Sequence, residues 1–229
     1  MPVSAKVALN ALAFSPLLDR SLPATWGRYS VHGLPVYRAS GGGGSAEKYR
    51  VPYLSFTRSS AQYLDLTPIS FDSTLGSGFT YMAYMRLPDM SNYDPIFSCY
   101  SETSSAVFAL YREGYPNHKT LTARFDPLVS RSFSYSSLVD WNLFVIRYDP
   151  SGDLVFVVDG VKYSKGATVP SGQSQGSVSF GSCYFGKDYA SNSFMSADVA
   201  AFYVYERALT DAEIASAGRY LKSLSGLHY

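Results

Sequence analysis

Charge, cysteine and histidine are all scarce in this chain. Only 16% of its 229 residues are charged, the formal net charge is +1, and the Lys and Arg residues are scattered along the sequence. Binders of nucleic acid neutralise phosphates with a basic stripe or patch, so the missing patch excludes nucleic acid as a partner. Two cysteines, Cys99 and Cys183, are too few for a disulfide framework or a four-cysteine zinc site. Each stands in a Ser-Cys-Tyr triplet beside an apolar stretch and reads as a small buried filler, with one long-range disulfide as the alternative. His32, His118 and His228 lie far apart, and none has a second ligand-type residue at zinc spacing. No apolar run approaches the roughly 20 residues that cross a bilayer. Residues 1–14 lack the charged segment followed by a long apolar one that marks a secretion signal. Nor is there an Asn-x-Ser/Thr acceptor for glycosylation. These absences leave the location undefined, with a virion or other particle, or the extracellular space after processing, as the expectations.

Against this stands a hydrophobic fraction of 46%, enough for a sizeable core and, at this length, for one domain over residues 1–229. The pattern is that of antiparallel strands joined by tight turns. Residues 141–148 form a continuous apolar run, Asp149-Pro150-Ser151-Gly152 is a turn signature, and a second apolar run over 153–158 closes on Asp159-Gly160 before Val161-Lys162-Tyr163. This predicts a three-stranded meander whose first strand is covered on both faces. Leu121, Ala123 and Phe125 alternate with Thr120, Thr122 and Arg124, as a half-exposed strand requires. Further strands are predicted over 54–56, 63–66, 79–87, 96–100, 107–112, 178–180 and 199–205. One helix is signalled near the end: Thr210-Asp211-Ala212-Glu213 is a capping box, Ile214, Ala217, Tyr220, Leu221 and Leu224 follow at helical spacing, and Gly226 is the stop. Before residue 50, one strand and then an irregular wrap around the sandwich are expected, with the Gly-rich segment 40–45 as a surface loop. Many short strands with almost no helix predict an all-β antiparallel sandwich or jelly roll with one short C-terminal α-helix.

Two stretches resemble laminin G-like and pentraxin-like domains. Trp141-Asn142-Leu143-Phe144-Val145-Ile146-Arg147-Tyr148, with Val157-Val158-Asp159-Gly160 after it, resembles their hairpin of a tryptophan-led strand and a hydrophobic-Asp-Gly turn. Tyr205-Glu206-Arg207-Ala208-Leu209-Thr210-Asp211-Ala212-Glu213-Ile214 resembles the junction of their last strand with a terminal helix. Leu54-Ser55-Phe56, Tyr63-Leu64-Asp65-Leu66 and residues 79–85 resemble their early strands, so the similarity covers residues 54–224. The resemblance implies a concanavalin A-like β-sandwich that binds sugars, proteins or neighbouring subunits. Neither Cys99 nor Cys183 lies in the strand that begins at Trp141, where one pentraxin cysteine would stand. That sets the chain apart from the pentraxins and their calcium-dependent rings.

The same sandwich hosts retaining glucan hydrolases, whose mechanism needs two carboxyl groups about 5 Å apart. Glutamate occurs only at Glu47, Glu102, Glu113, Glu206 and Glu213, and none shares a predicted strand with a second acid two or four residues away. The expectation is a non-catalytic domain. Gly172-Gln173-Ser174-Gln175-Gly176 matches a nucleophile elbow in letters, but Pro170-Ser171 precedes it and strand-like residues follow, so it reads as a polar loop. No cofactor is expected. Calcium is the one cation with candidate ligands, Asn92 with Asp94 and Asp188 with Asn192, its carboxylates being Asp94 and Asp188. The chain is rich in tyrosine, with 20, a side chain that offers large contact area and a polar tip at small entropic cost. The loop residues Tyr93, Tyr115 and Tyr189, with Asn92, Asn117 and Asn192 beside them, form the expected recognition rim. Two functions follow: a lectin-like module that binds carbohydrate or a protein surface, and a structural component of a larger assembly such as a minor capsid or virion-surface protein, packed against neighbouring subunits. A glycan hydrolase comes third.

Overall fold

Alternation of apolar and polar residues along short strands builds two antiparallel sheets that stack face to face in this computed structural model. The structure describes residues 12–14, 25–26, 29–32, 36–38, 53–66, 78–88, 93–100, 107–113, 120–125, 129–134, 141–149, 154–158, 160–163, 182–188, 193–205 and 207–224. The first sheet runs β14 (Val161–Tyr163), β13 (Leu154–Val158), β12 (Asn142–Tyr148), β7 (Phe79–Arg86), β16 (Ala197–Tyr205), β5 (Tyr53–Phe56) and β4 (Val36–Arg38), with β1 (Leu12–Phe14) also pairing with β16. The second runs β11 (Val129–Ser134), β10 (Thr120–Phe125), β9 (Val107–Glu113), β8 (Asp94–Tyr100), β15 (Ser182–Phe185), β6 (Tyr63–Asp65), β3 (Tyr29–His32) and β2 (Thr25–Trp26).

Between the sheets lies one apolar core, to which the first contributes Leu54, Tyr81, Met85, Phe144, Ile146, Phe156 and Phe202, and the second Leu64, Phe97, Cys99, Leu110, Leu121, Cys183 and Phe185. Phe185 and Phe202 meet across the gap with ring centroids 4.6 Å apart. Along β16 the side chains change face midway. Ala197 and Val199 point inward, a bulge falls between Val199 and Ala201, and beyond it the inward residue is Phe202 while Tyr203 and Tyr205 point out. One extra residue in a strand has this effect because the side-chain period is two.

The outward face of the first sheet is also buried. Met82, Tyr84, Leu143, Val145, Val157 and Tyr203 lie under Leu209 and under Ile214 and Ala217 of α1 (Asp211–Leu224). The expected capping box closes its start: Thr210 N–H donates to Glu213 Oε2 (2.9 Å) and Glu213 N–H to Thr210 Oγ1 (3.2 Å). Arg207 holds the same carboxylate with two bonds, 2.7 and 3.0 Å. Buried Thr80 clamps the approach, its hydroxyl donating to the Arg207 carbonyl (3.0 Å) and accepting from Leu209 N–H (2.8 Å). The Arg-Ala-Leu-Thr motif thus docks the helix on the sheet. An exposed ion pair contributes about 0–1 kcal/mol and each fully buried large apolar side chain about 1.5–3 kcal/mol, so Leu209 and Ile214 hold the helix more than Arg207 does.

The meander β12, β13, β14 stands as expected, paired antiparallel throughout. Two differences from the sequence reading concern strands. The first 50 residues are expected to give one strand and an irregular wrap; among the described residues there they supply four short strands, β1 and β4 pairing into the first sheet and β2 and β3 into the second. β11 and β15 were not expected. The strand expected over 178–180, the Gly-rich segment 40–45 and the Gly-x-Ser-x-Gly letters at 172–176 lie outside the described residues.

Candidate functional site

The second sheet turns a different face outward. In β6 the sequence Tyr-Leu-Asp sends Leu64 inward and leaves Tyr63 and Asp65 half-buried outside; in β15 Cys183 and Phe185 point in, and Ser182 and Tyr184 out. The register sets Tyr184 opposite Asp65 on one side and Ser98 on the other. The Tyr63 and Tyr184 rings meet edge to face, centroids 5.8 Å apart.

After β15 the chain turns back over this face. Gly186 makes the turn with φ of +83°, a left-handed conformation costly for other residues. A Cβ there would also stand 3.1 Å from Met195 Cε. Gly186 N–H donates to the Ile96 carbonyl (2.9 Å), and Met195 N–H to the Gly186 carbonyl (3.0 Å). Lys187 pairs with Phe194 in an isolated antiparallel bridge, and Ser98 Oγ donates to the Lys187 carbonyl (2.7 Å). The Lys187 ammonium thereby sits 4.7 Å from the Tyr63 ring centroid and 4.8 Å from that of Tyr184. Phe194 flanks Tyr63 at 5.9 Å. Partial burial, then Asp65 and Tyr184, push the Tyr63 hydroxyl above the usual tyrosine pKa, so it remains a neutral donor. The outcome is a half-exposed platform of three aromatic rings, one ammonium and the Asp65 carboxylate.

A buried ion cluster anchors its rim. Asp94 is fully buried, and its two oxygens accept from Arg58 and from Arg112, with Ser196 N–H adding a third bond (2.9 Å). Arg58 also donates through Nε to the Phe194 carbonyl (2.9 Å) and through Nη2 to the Tyr93 carbonyl (3.4 Å), so one guanidinium ties the platform to the Tyr93 segment.

The expected site residues are distributed unevenly. Tyr93 is exposed, at 37%, and its ring packs against that of Tyr111 in a tilted pair, centroids 5.2 Å apart. Asp94, expected as a calcium carboxylate, is instead an ion-pair acceptor inside the domain; a cation there would have to displace a guanidinium. Asp188, the other, is buried and accepts from the Tyr100 hydroxyl (2.8 Å). Asn92, Tyr115, Asn117, Tyr189 and Asn192 lie outside the described residues. Sequence reasoning missed Tyr63, Tyr184, Lys187 and Phe194. The signal for two of them was present, since Tyr63-Leu64-Asp65-Leu66 and Ser182-Cys183-Tyr184-Phe185 both alternate.

Several solved structures share the fold. A Trypanosoma rangeli sialidase, solved with difluorosialic acid as a covalent intermediate, is 17% identical with a TM-score of 0.55, the match covering 76% of this chain and 28% of that one. The binding domain of botulinum neurotoxin serotype G is 14% identical with a TM-score of 0.60, covering 85% and 46%. That of botulinum neurotoxin DC, in complex with rat synaptotagmin II, is 13% identical with a TM-score of 0.59, covering 88% and 47%. The chain spans less than half the length of each of these three. No curated protein matches it in sequence. Among the described residues no helix is long and apolar enough to cross a membrane. The profile described as the concanavalin A-like lectin/glucanases superfamily, laminin G type, matches residues 58–215, more than half the chain, and together with the two stacked antiparallel sheets it shows that the protein belongs to that family.

Proposed function

We propose that this domain is a non-catalytic recognition module that binds carbohydrate through the outward face of its second sheet. The observation that carries this reading is the platform of Tyr63, Tyr184 and Phe194 with Lys187 and Asp65 among the rings. Half-exposed aromatic faces take the apolar C–H surface of a sugar ring, while the ammonium, the carboxylate and the tyrosine hydroxyls meet its hydroxyl groups. Lys187 lies over the rings, and a sugar would share or displace it. The kinship in fold with botulinum neurotoxin binding domains supports a binding role. A non-catalytic reading is supported by four of the described carboxylates, those of Asp94, Asp198, Asp211 and Glu213, which are each held by arginine.

A glycan array read with the wild-type chain and with Tyr184→Ala tests the proposal. Binding of a defined set of glycans is expected, weakened at least about tenfold in the variant, as loss of a central aromatic contact is worth about 2 kcal/mol or more. A chelator is expected to leave binding unchanged, because Asp94 is committed to Arg58 and Arg112. Equal binding by Tyr184→Ala and by Tyr63→Ala would move the site elsewhere, and hydrolysis of any bound glycan would overturn the non-catalytic reading.

A further inference from the structure

Cys99 and Cys183 lie far apart in sequence but face each other directly across β8 and β15, in register. Both are thiols in this structure, both point into the core, and they are 1% and 0% exposed. The backbone bonds identify the kind of pair. In an antiparallel strand the N–H and C=O of one residue point to the same side. The Cys183 carbonyl accepts from Leu66 N–H, beyond the end of β6 (2.7 Å), whereas Gly186 N–H donates toward β8, to the Ile96 carbonyl (2.9 Å). Cys183 therefore turns its backbone groups away from β8, and Cys99 with Cys183 is a non-hydrogen-bonded pair. At such positions the Cα atoms stand about 4.5 Å apart and the side chains come closest, inside the roughly 4.4–6.8 Å that a disulfide spans.

We propose that Cys99 and Cys183 form a cross-strand disulfide when the chain folds in the presence of a small disulfide oxidant such as oxidised glutathione. One thiolate attacks the oxidant's S–S bond, forming a mixed disulfide and releasing one small thiol. The second protein thiolate attacks the protein sulfur of that mixed disulfide and releases the other. The protein pair gives up two electrons and two protons, the oxidant's S–S bond is reduced, and two small thiols leave. Timing follows from burial. Desolvation, then the Cys183 thiol, pushes the Cys99 thiol well above its usual pKa, so the folded domain offers little thiolate, and closure belongs to the folding chain. The bond would clamp β8 to β15, the strands whose opposite face carries Ser98, Tyr100 and Tyr184, and so hold the base of the tyrosine platform.

The test is to unfold the full chain under reducing conditions, refold it with a mixture of reduced and oxidised glutathione, and count thiols in denaturant. The expected result is loss of both titratable thiols, an intact mass lower by two hydrogens, and one linked peptide pair containing Cys99 and Cys183. The melting temperature should rise by on the order of 10 °C over the reduced chain. Cys99→Ser and Cys183→Ser should each show no such rise, the remaining cysteine ending as a thiol or a glutathione adduct. Two titratable thiols in the refolded wild-type chain, glutathione on both cysteines, or disulfide-linked dimers would overturn the proposal, and each is readable whether or not the serine variants fold.

Discussion

On the first sheet the outward side chains Met82, Tyr84, Leu143, Val145 and Tyr203 lie beneath α1 and form a second core; on the second, the outward Tyr63, Asp65 and Tyr184 stand half-exposed beside Lys187. Both faces are rich in tyrosine, and only the cover differs. A capped amphipathic helix converts one into interior, while a turn at Gly186 lays a narrow strip of chain over the other and leaves its rings accessible. Aromatic content therefore marks an accessible face here only once the elements that cover each face are known. The two faces also hold their cations differently. Arg86 sits between Asp198 (2.8 Å) and the rings of Tyr53 and Trp141, at 5.5 and 5.4 Å, and belongs to the side of the helix, whereas Lys187 lies over the open platform.

Substitutions sharpen the contrast. The largest effect is expected from Asp94→Ala, which leaves the buried Arg112 guanidinium without its acceptor and releases Arg58 from the platform's rim; a loss of about 3–5 kcal/mol should appear in denaturant unfolding. Leu209→Ala removes a fully buried side chain from the segment that leads into the helix and is expected to cost about 2–4 kcal/mol, while the chain that stays folded binds glycans as the wild type does. If Leu209→Ala weakened glycan binding as much as Tyr184→Ala, the two faces would not be separate. Gly218→Ala would place a Cβ 2.7 Å from Leu143 Cδ2; the leucine end gives way in part, so about 1–2 kcal/mol is expected by thermal melting, again without effect on binding. The smallest effect concerns pH. Bonds from Arg207 lower the Glu213 carboxyl to about 2, so its contribution is present above the ordinary carboxylate range and is lost as pH falls toward 2. Because the pair is exposed the effect is modest: melting temperature should decline more steeply from pH 4.5 to 2 in the wild type than in Glu213→Gln.

Strands of the central meander and the β16–α1 junction were legible because hydrophobic run, turn residue and capping box all agree there. β15 was not: with only four residues, Ser182 to Phe185, and no β-branched side chain, it is held by pairing with β8 and β6 more than by propensity. The short strands before residue 50 are likewise held by pairing, β1 on β16 and β4 on β5 in the first sheet, β3 on β6 and β2 on β3 in the second. At the site, Asn and Asp neighbours drew attention to loop tyrosines, and among the described residues only Tyr93 of that set is seen, exposed. Asp94 illustrates the limit of such reasoning. Its neighbours suggest a polar loop ligand, yet β8 carries it inward opposite Arg112, and no local sequence signal reports a donor supplied by Arg58 from across the domain.

Hydrogen–deuterium exchange of the wild-type chain, with and without the tightest glycan found on the array, tests the central claim most directly. The expected result is slowed exchange confined to β6, β15 and the Lys187 and Phe194 bridge, with α1 and the β12–β13 hairpin unchanged. Protection on α1 and β12–β13, with none at Tyr63 and Tyr184, would contradict it.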